Sequence, residues 1–152
     1  MEAKLIATNK VAQRDYHIIE TYEAGVGLKG TEVKSLREGN ANLRDSFARI
    51  EPEGIFLYNM HISPYIFGNI ANVEPKRKRA LLLHKSQVRK LLGKISQRGF
   101  TLVPLKIYFN ERGKAKIELG LVKGKRLYDK RQAIKKREAK REVQRALRHK
   151  NK

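Results

Sequence analysis

Between residues 114 and 122 (KAKIELGLV), Ala115, Ile117, Leu119 and Leu121 alternate with Lys114, Lys116 and Glu118. This period of two predicts a strand with one face in a core and the other in water. The preceding run, Phe100 to Phe109 (FTLVPLKIYF), predicts a partner strand, joined to it through Asn110-Glu111-Arg112-Gly113. Leu43 to Glu51 alternates in the same way and is followed by Pro52-Glu53-Gly54 and the apolar run Ile55 to Tyr58, which together predict an antiparallel hairpin. Asp15 to Ala24 (DYHIIETYEA) predicts a strand closed by Gly25 and Gly27, and a short extended stretch is expected at Ile62 to Phe67. Two stretches read as helices. From Gly30, Val33 and Leu36 fall at helical spacing, with Thr31 placed to cap the first turn and Gly39-Asn40 to stop it. Leu81, Leu82, Val88, Leu91, Leu92 and Ile95 form a longer apolar stripe that ends at Arg98-Gly99. Five or six strands in hairpins with two helices imply a small closed or nearly closed barrel.

Charge divides the chain. Residues 123–152 hold 14 Lys/Arg and 3 Asp/Glu, more than half of the formal net charge of +20. Their sizeable aliphatics are only Leu127, Ile134, Val143 and Leu147, too little apolar surface to offset the entropy of ordering without a polyanion. The expected organisation is therefore a barrel over residues 1–122 and a basic tail over 123–152. The barrel itself carries 21 basic and 12 acidic residues, so the positive field extends beyond the tail and points to nucleic acid.

Composition also narrows the chemistry. There is no Cys, and His17, His61, His84 and His149 lack metal-site spacing, so neither a disulfide, a metal centre nor any other cofactor is expected. The N-terminal MEAKLIATNK lacks a signal-peptide apolar region, and no window approaches the roughly 18 apolar residues of a membrane span. A cytoplasmic protein without a membrane partner is expected. The tail has no Phe or Trp, unlike helices that lie on lipid.

Among local motifs, the carboxylates Asp15, Glu20, Glu23, Glu32, Asp45, Glu51 and Glu53 show no catalytic spacing, and Gly25 to Gly30 fits no phosphate-loop pattern. The polar loop 72–79 carries Lys76-Arg77-Lys78-Arg79, an expected RNA contact through Arg77, Lys78 and Arg79. In GTEVKSLR (30–37), Val33 and Leu36 must face the core while Lys34 and Arg37 project. Those two cations suit phosphates, and Glu32 suits a base edge or a 2′-hydroxyl. A solvated, salt-bridged helix fits the same spacing equally well. In the tail, Ala139, Val143, Ala146 and Leu147 would form one narrow apolar stripe on a helix otherwise ringed with cations.

Three stretches read together are more specific: DYHIIETYEAGVGLKGTEVKSLREG (15–39), NMHISPY (59–65) and KGKRLYDKR (123–131). On these the chain closely resembles the small protein B family, the bacterial SsrA-binding proteins that bind transfer-messenger RNA, from about Asn9 to about Ala146. The resemblance implies an oligonucleotide-binding (OB) fold, a six-stranded antiparallel barrel with flanking helices. It also implies a tail disordered when free and helical on the ribosome, and a monomeric, non-enzymatic adaptor in trans-translation. On this resemblance the adaptor carries transfer-messenger RNA into the A site of a ribosome stalled on mRNA without a stop codon, so that the nascent chain is tagged and the ribosome released.

The resemblance aligns Glu32, Leu82, His84 and Lys116 with positions that hold the tRNA-like domain. It implies that the tail enters the small-subunit decoding centre and empty mRNA channel. There Lys123, Lys125, Arg126, Asp129, Lys130 and Arg131 would secure the entry, Tyr128 would stack on a base, and Lys135, Lys136, Arg137, Lys140, Arg141 and Arg145 would line the helix. This chain departs from the family's commoner residues at Tyr128 (His), Ala80 (Lys) and Arg14 (His). A structural ribosomal protein would share the basic barrel and tail, but retention on ribosomes through high salt would set it apart; a nuclease would degrade RNA with divalent metal.

Overall fold

The computed structural model describes residues 3–68, 72–97 and 99–124 and, further on, 137, 138, 140, 141 and 143–145. Its elements, in chain order, are β1 (Lys4–Thr8), α1 (Lys10–Asp15), β2 (Tyr16–Val26), α2 (Gly30–Arg37), β3 (Ala41–Asn42), β4 (Phe47–Glu51), β5 (Gly54–Tyr58), β6 (His61–Ile62), β7 (Arg79–Leu82), α3 (Lys85–Ile95), β8 (Phe100–Phe109) and β9 (Ala115–Gly124).

The main sheet runs β1-β8-β4-β5-β7-β2-β9, and β9 also pairs with β8. That second pairing closes β8-β4-β5-β7-β2-β9 into a ring of six antiparallel strands, the barrel expected from the resemblance, with β1 paired to the Lys106–Phe109 end of β8. Closure removes the open edge that six strands would otherwise present. The ring is uneven: β9 pairs along its length with both β2 and β8, whereas β4 meets β8 at Ala48 and Leu102 alone.

Inward alternation fills the barrel. Leu57, Ile107, Ile117, Leu119 and Leu121 are inaccessible to solvent, and Leu36 of α2 and Leu91 of α3 plug into the same core. A second, smaller cluster of Ala12, Val103, Leu105 and Val122 lies between α1 and β8–β9, so part of the strand face expected to be wet is covered. Gly120 makes this cover possible: a Cβ there would meet Leu105 Cδ1 at 2.8 Å and Cγ at 3.0 Å. Asn9 fixes the cover in place. Its buried side chain accepts from Ala12 N (3.1 Å) to cap α1 and donates to Leu43 O (3.3 Å) and Pro104 O (2.9 Å).

Local boundaries differ from the sequence expectation in four places. Leu81 and Leu82 belong to strand β7 and not to α3, because Arg79 and Leu81 face inward while Ala80 and Leu82 face out. Strand β4 begins only at Phe47, since Asp45 has a φ of 60° and Arg44 N donates to Asn42 Oδ1 (2.8 Å) in a turn. Beyond His61–Ile62 the stretch to Phe67 is not strand, and Gly68 N closes a turn onto Tyr65 O (2.9 Å). Lys29, not Thr31, occupies the cap of α2, and the Glu32 carboxylate takes the Lys29 N–H (2.8 Å).

At the other end, β9 extends through Lys123 and Gly124, two residues into the expected tail. Lys123 lies opposite both His17 and Phe100, and its ammonium sits 4.9 Å from the Phe100 ring. The described residues beyond it, Arg137, Glu138, Lys140, Arg141 and 143–145, are helical and exposed.

Gly120→Ala tests the cover. Leu105 is buried and cannot swing aside, so the added methyl is expected to cost about 1–3 kcal/mol of unfolding free energy, measured by urea titration. A loss indistinguishable from zero would mean that α1 packs loosely.

Candidate nucleic-acid interface

Helix α2 buries Glu32, Ser35 and Leu36 at i, i+3 and i+4, with Val33 half-buried beside them, while Lys34 and Arg37 stay in water as expected. Glu32 does not stay in water. It is 3 % exposed and lies between two guanidinium groups. Arg77 reaches it through Nε (3.2 Å to each oxygen) and NH2, and Arg79 through Nε (2.7 Å) and NH2 (2.6 Å). Arg79 is inaccessible to solvent, and its remaining N–H groups donate to Met60 O (2.5 Å), Pro75 O (2.9 Å) and Arg77 O (3.3 Å). Arg77 also donates to Gly27 O (3.2 Å) and Lys78 O (3.2 Å).

This geometry constrains three of the named residues. Glu32 has no oxygen free for a base or a 2′-hydroxyl, Arg79 is sealed inside, and Arg77 is committed to Glu32 and two carbonyls. The run Lys76–Arg79 falls in the polar loop expected at 72–79, yet Arg79 opens β7 and shares the inward parity of Leu81. Strand alternation was the available signal. Burial alone would raise the Glu32 carboxyl, but donation from Arg77, from the Lys29 amide and from Arg79 outweighs it and holds the group below the usual carboxylate range. Burial likewise opposes the charge on Arg79, and Glu32 opposes that burial effect.

A third cation of this run is also engaged. Lys78 binds Glu51 Oε2 (2.6 Å) and lies 4.0 Å from the Phe56 ring, though its side chain remains 43 % exposed. Glu51 and Tyr58 are hydrogen-bonded as well, and both donors hold the Glu51 carboxyl low. Elsewhere on the barrel Glu20 takes Lys94 and the Tyr22 hydroxyl, which pushes the Tyr22 phenol up to about 12, and Glu23 takes the Tyr108 hydroxyl (2.6 Å). Each of these carboxylates is thereby matched to a local donor.

The remaining barrel candidates are open. Gly25 lies opposite Leu82 of β7 on one side and opposite Lys116 of β9 on the other. Leu82, Gly25 and Lys116 therefore form one row across three adjacent strands. Leu82 is 65 % exposed, and its Cβ would be 3.2 Å from a Cβ at position 25, so glycine lets it lie close to the β2 backbone. His84 caps α3 two residues later; its carbonyl accepts from Gln87 N (3.0 Å) and Val88 N (3.1 Å), and its ring is exposed. An apolar side chain, an imidazole and an ammonium around a glycine can give stacking, hydrogen-bonding and phosphate contacts to RNA. Lys34 and Arg37 project from α2, which Glu32 ties to β7.

The comparisons bear on the whole chain. A family model described as SmpB protein matches residues 6–149. The chain belongs to the SmpB protein family. An SsrA-binding protein of Moorella thermoacetica is 57 % identical over 151 residues, covering 99 % of this chain and 97 % of that protein. One of Carboxydothermus hydrogenoformans is 61 % identical over 145 residues, covering 95 % and 97 %. Among solved structures, a chain described under "tmRNA-SmpB: a journey to the center of the bacterial ribosome" superposes with a TM-score of 0.67 at 60 % identity, covering 78 % of this chain and 83 % of that one. The mainly β architecture thus agrees with that of a solved SmpB structure.

Of the tail candidates of this SmpB-family chain, Lys123 is the last but one residue of β9, and Arg137, Lys140, Arg141 and Arg145 lie on helical, exposed backbone. Lys125, Arg126, Tyr128, Asp129, Lys130, Arg131, Lys135 and Lys136 lie outside the described residues.

Glu32→Ala would leave the sealed Arg79 charge without its counterion, and is expected to cost about 3–5 kcal/mol in urea unfolding. With its folded pKa lowered, Glu32 stabilises fully above the unfolded value near ~4.3, and this contribution is lost as pH falls through the lower folded value. Acid titration of stability should therefore be shallower in Glu32→Gln than in the parent; identical acid limbs would show the pair to be energetically idle.

Proposed function

We propose that this chain is the transfer-messenger-RNA-binding adaptor of trans-translation, acting on stalled ribosomes as a cytoplasmic, non-enzymatic monomer. The observation that carries this reading is the 57 % and 61 % identity to SsrA-binding proteins over nearly the whole chain, and the barrel supplies a surface suited to the task. No helix among the described residues is long and apolar enough to cross a membrane.

On this reading the tRNA-like domain of the RNA lies over the Leu82–Gly25–Lys116 row. His84 contributes hydrogen bonds, and Lys34 and Arg37 supply phosphate contacts. Glu32, Arg77 and Arg79 serve RNA binding indirectly: their ion cluster holds α2 against β7, so the side chains those elements present keep a fixed spacing. The partnered carboxylates Glu20, Glu23 and Glu51 leave the field of the barrel positive where a polyanion approaches.

The tail takes the second partner. Lys123, Lys125, Arg126, Asp129, Lys130 and Arg131 would secure it at the mouth of the small-subunit decoding centre. Tyr128 would stack on a base there, and Lys135, Lys136, Arg137, Lys140, Arg141 and Arg145 would follow the empty mRNA channel. RNA walls on every side and a cation at nearly every second position favour binding through counterion release. A channel already filled by mRNA would exclude the segment.

A gel-shift titration against the tRNA-like domain of transfer-messenger RNA, with an elongator tRNA as competitor, tests the reading. Tight, poorly competed binding is expected, with a slope of log affinity on log salt of roughly −4 to −5 for about six neutralised phosphates; equal binding of both RNAs would refute it. Deleting Lys125–Lys152 is expected to leave this binding nearly intact while abolishing peptide tagging on stalled ribosomes. Comparable loss of both would contradict the division of labour between barrel and tail.

A further inference from the structure

Outside the Leu82–Lys116 row, the largest apolar exposure in the barrel lies in the turn after β6. Ile66 is 80 % and Phe67 76 % exposed, and the Tyr65 and Phe67 rings meet edge to face at 5.6 Å. This tip is held in shape. The Asn72 side chain accepts from Tyr65 N (2.9 Å) and donates to Tyr65 O (2.8 Å), clamping both backbone groups of one residue. Gly68 admits that clamp, because a Cβ there would lie 2.6 Å from Asn72 Oδ1. The base of the turn is stitched to α2 by Ser35 Oγ donating to Ser63 O (2.6 Å), and to the end of the same helix by Ser63 N donating to Asn40 O (3.1 Å). Two large apolar side chains are thus presented to solvent on a braced backbone, where a soluble domain would ordinarily withdraw them.

The charge beside the tip says what it meets. The Lys34 ammonium, from the outward side of α2, lies 5.6 Å from the Tyr65 ring centroid, and Arg37 projects one turn further along the same helix. An aromatic tip next to cations matches an unpaired nucleotide: the base has a π-face for the ring, and its phosphate has a counterion within reach. An apolar protein partner would leave those cations facing nothing of opposite sign.

Building on the reading above, we infer that Phe67, with Ile66 beside it and Tyr65 beneath, is a stacking platform for one unpaired nucleobase of the bound RNA, with Lys34 on the adjoining phosphate. It is a contact separate from the Leu82–Gly25–Lys116 row.

The chain contains no Trp, so Phe67→Trp introduces a single reporter at the tip. Adding the tRNA-like domain of transfer-messenger RNA is expected to quench its emission. Phe67→Ala is expected to weaken the same RNA roughly tenfold or more, with the salt slope unchanged because no phosphate contact is removed. Phe67 is exposed, so circular dichroism melting of both variants should match the parent. Parental affinity in Phe67→Ala, or an unquenched Trp, overturns the platform while leaving the RNA-binding function standing; full RNA affinity with lost ribosome co-sedimentation overturns it in favour of a ribosomal contact. Failure of the unmodified chain to bind the RNA would remove the function and the platform together.

Discussion

A single buried carboxylate organises one side of this barrel. Glu32 lies between Arg77 and Arg79, and these residues come from a helix, a loop and a strand that are otherwise joined by few contacts. Taking the Arg79 charge out of water is tolerable only because Glu32 and three carbonyls surround it. The same arrangement forbids small displacements: if α2 slid along β7, the charge would lose its partner before any hydrophobic contact was noticeably poorer. An apolar contact could have filled the space, but it would not have fixed the distance between helix and strand so sharply.

The outer surface shows the complementary use of charge. Where Glu32 is sealed from solvent, Glu20, Glu23 and Glu51 remain near it, each taking a tyrosine hydroxyl, and two of them a lysine as well. Acidic groups are therefore retained in a strongly basic protein without forming a free acidic patch. The exposed cations Lys34 and Arg37 and the half-buried Lys116 are left to define the potential seen from a distance. Of the exposed large apolar side chains, Leu82 shares a row with Lys116, and Ile66 and Phe67 share a turn with Tyr65, whose ring lies beside Lys34.

How much of this could be read from residues alone depended on the range of the forces involved. Strands β5, β8 and β9 were legible because alternation and turn residues are local signals, and the inward set Ile117, Leu119 and Leu121 follows directly from them. The ion cluster was not, because charge composition labels Lys76–Arg79 as surface while the partner that draws Arg79 inward lies 47 positions earlier. Asn9 posed the same difficulty: the carbonyl it reaches on Pro104 is 95 positions away, so α1 had no local signature of its own. The apolar triplet Leu81-Leu82-Leu83 fits either period, so sequence spacing joins Leu81 and Leu82 to α3 where the structure has strand. Of the candidate interface, the outward pair on α2 followed from spacing and Leu82, His84 and Lys116 from the family resemblance, whereas nothing local marked Phe67, since only the Asn72 clamp distinguishes a presented side chain from a loose one.

The double pairing at the end of β9 has a mechanical side. Lys123 and Gly124 sit in a strand hydrogen-bonded along its length to β2 on one side and β8 on the other. Tension applied to the following chain, and directed along the strand, loads many of those bonds in shear together instead of peeling them one after another. The final strand therefore works as a tether: a load on the chain that follows it is passed into both neighbouring strands and not onto the single β4–β8 bridge.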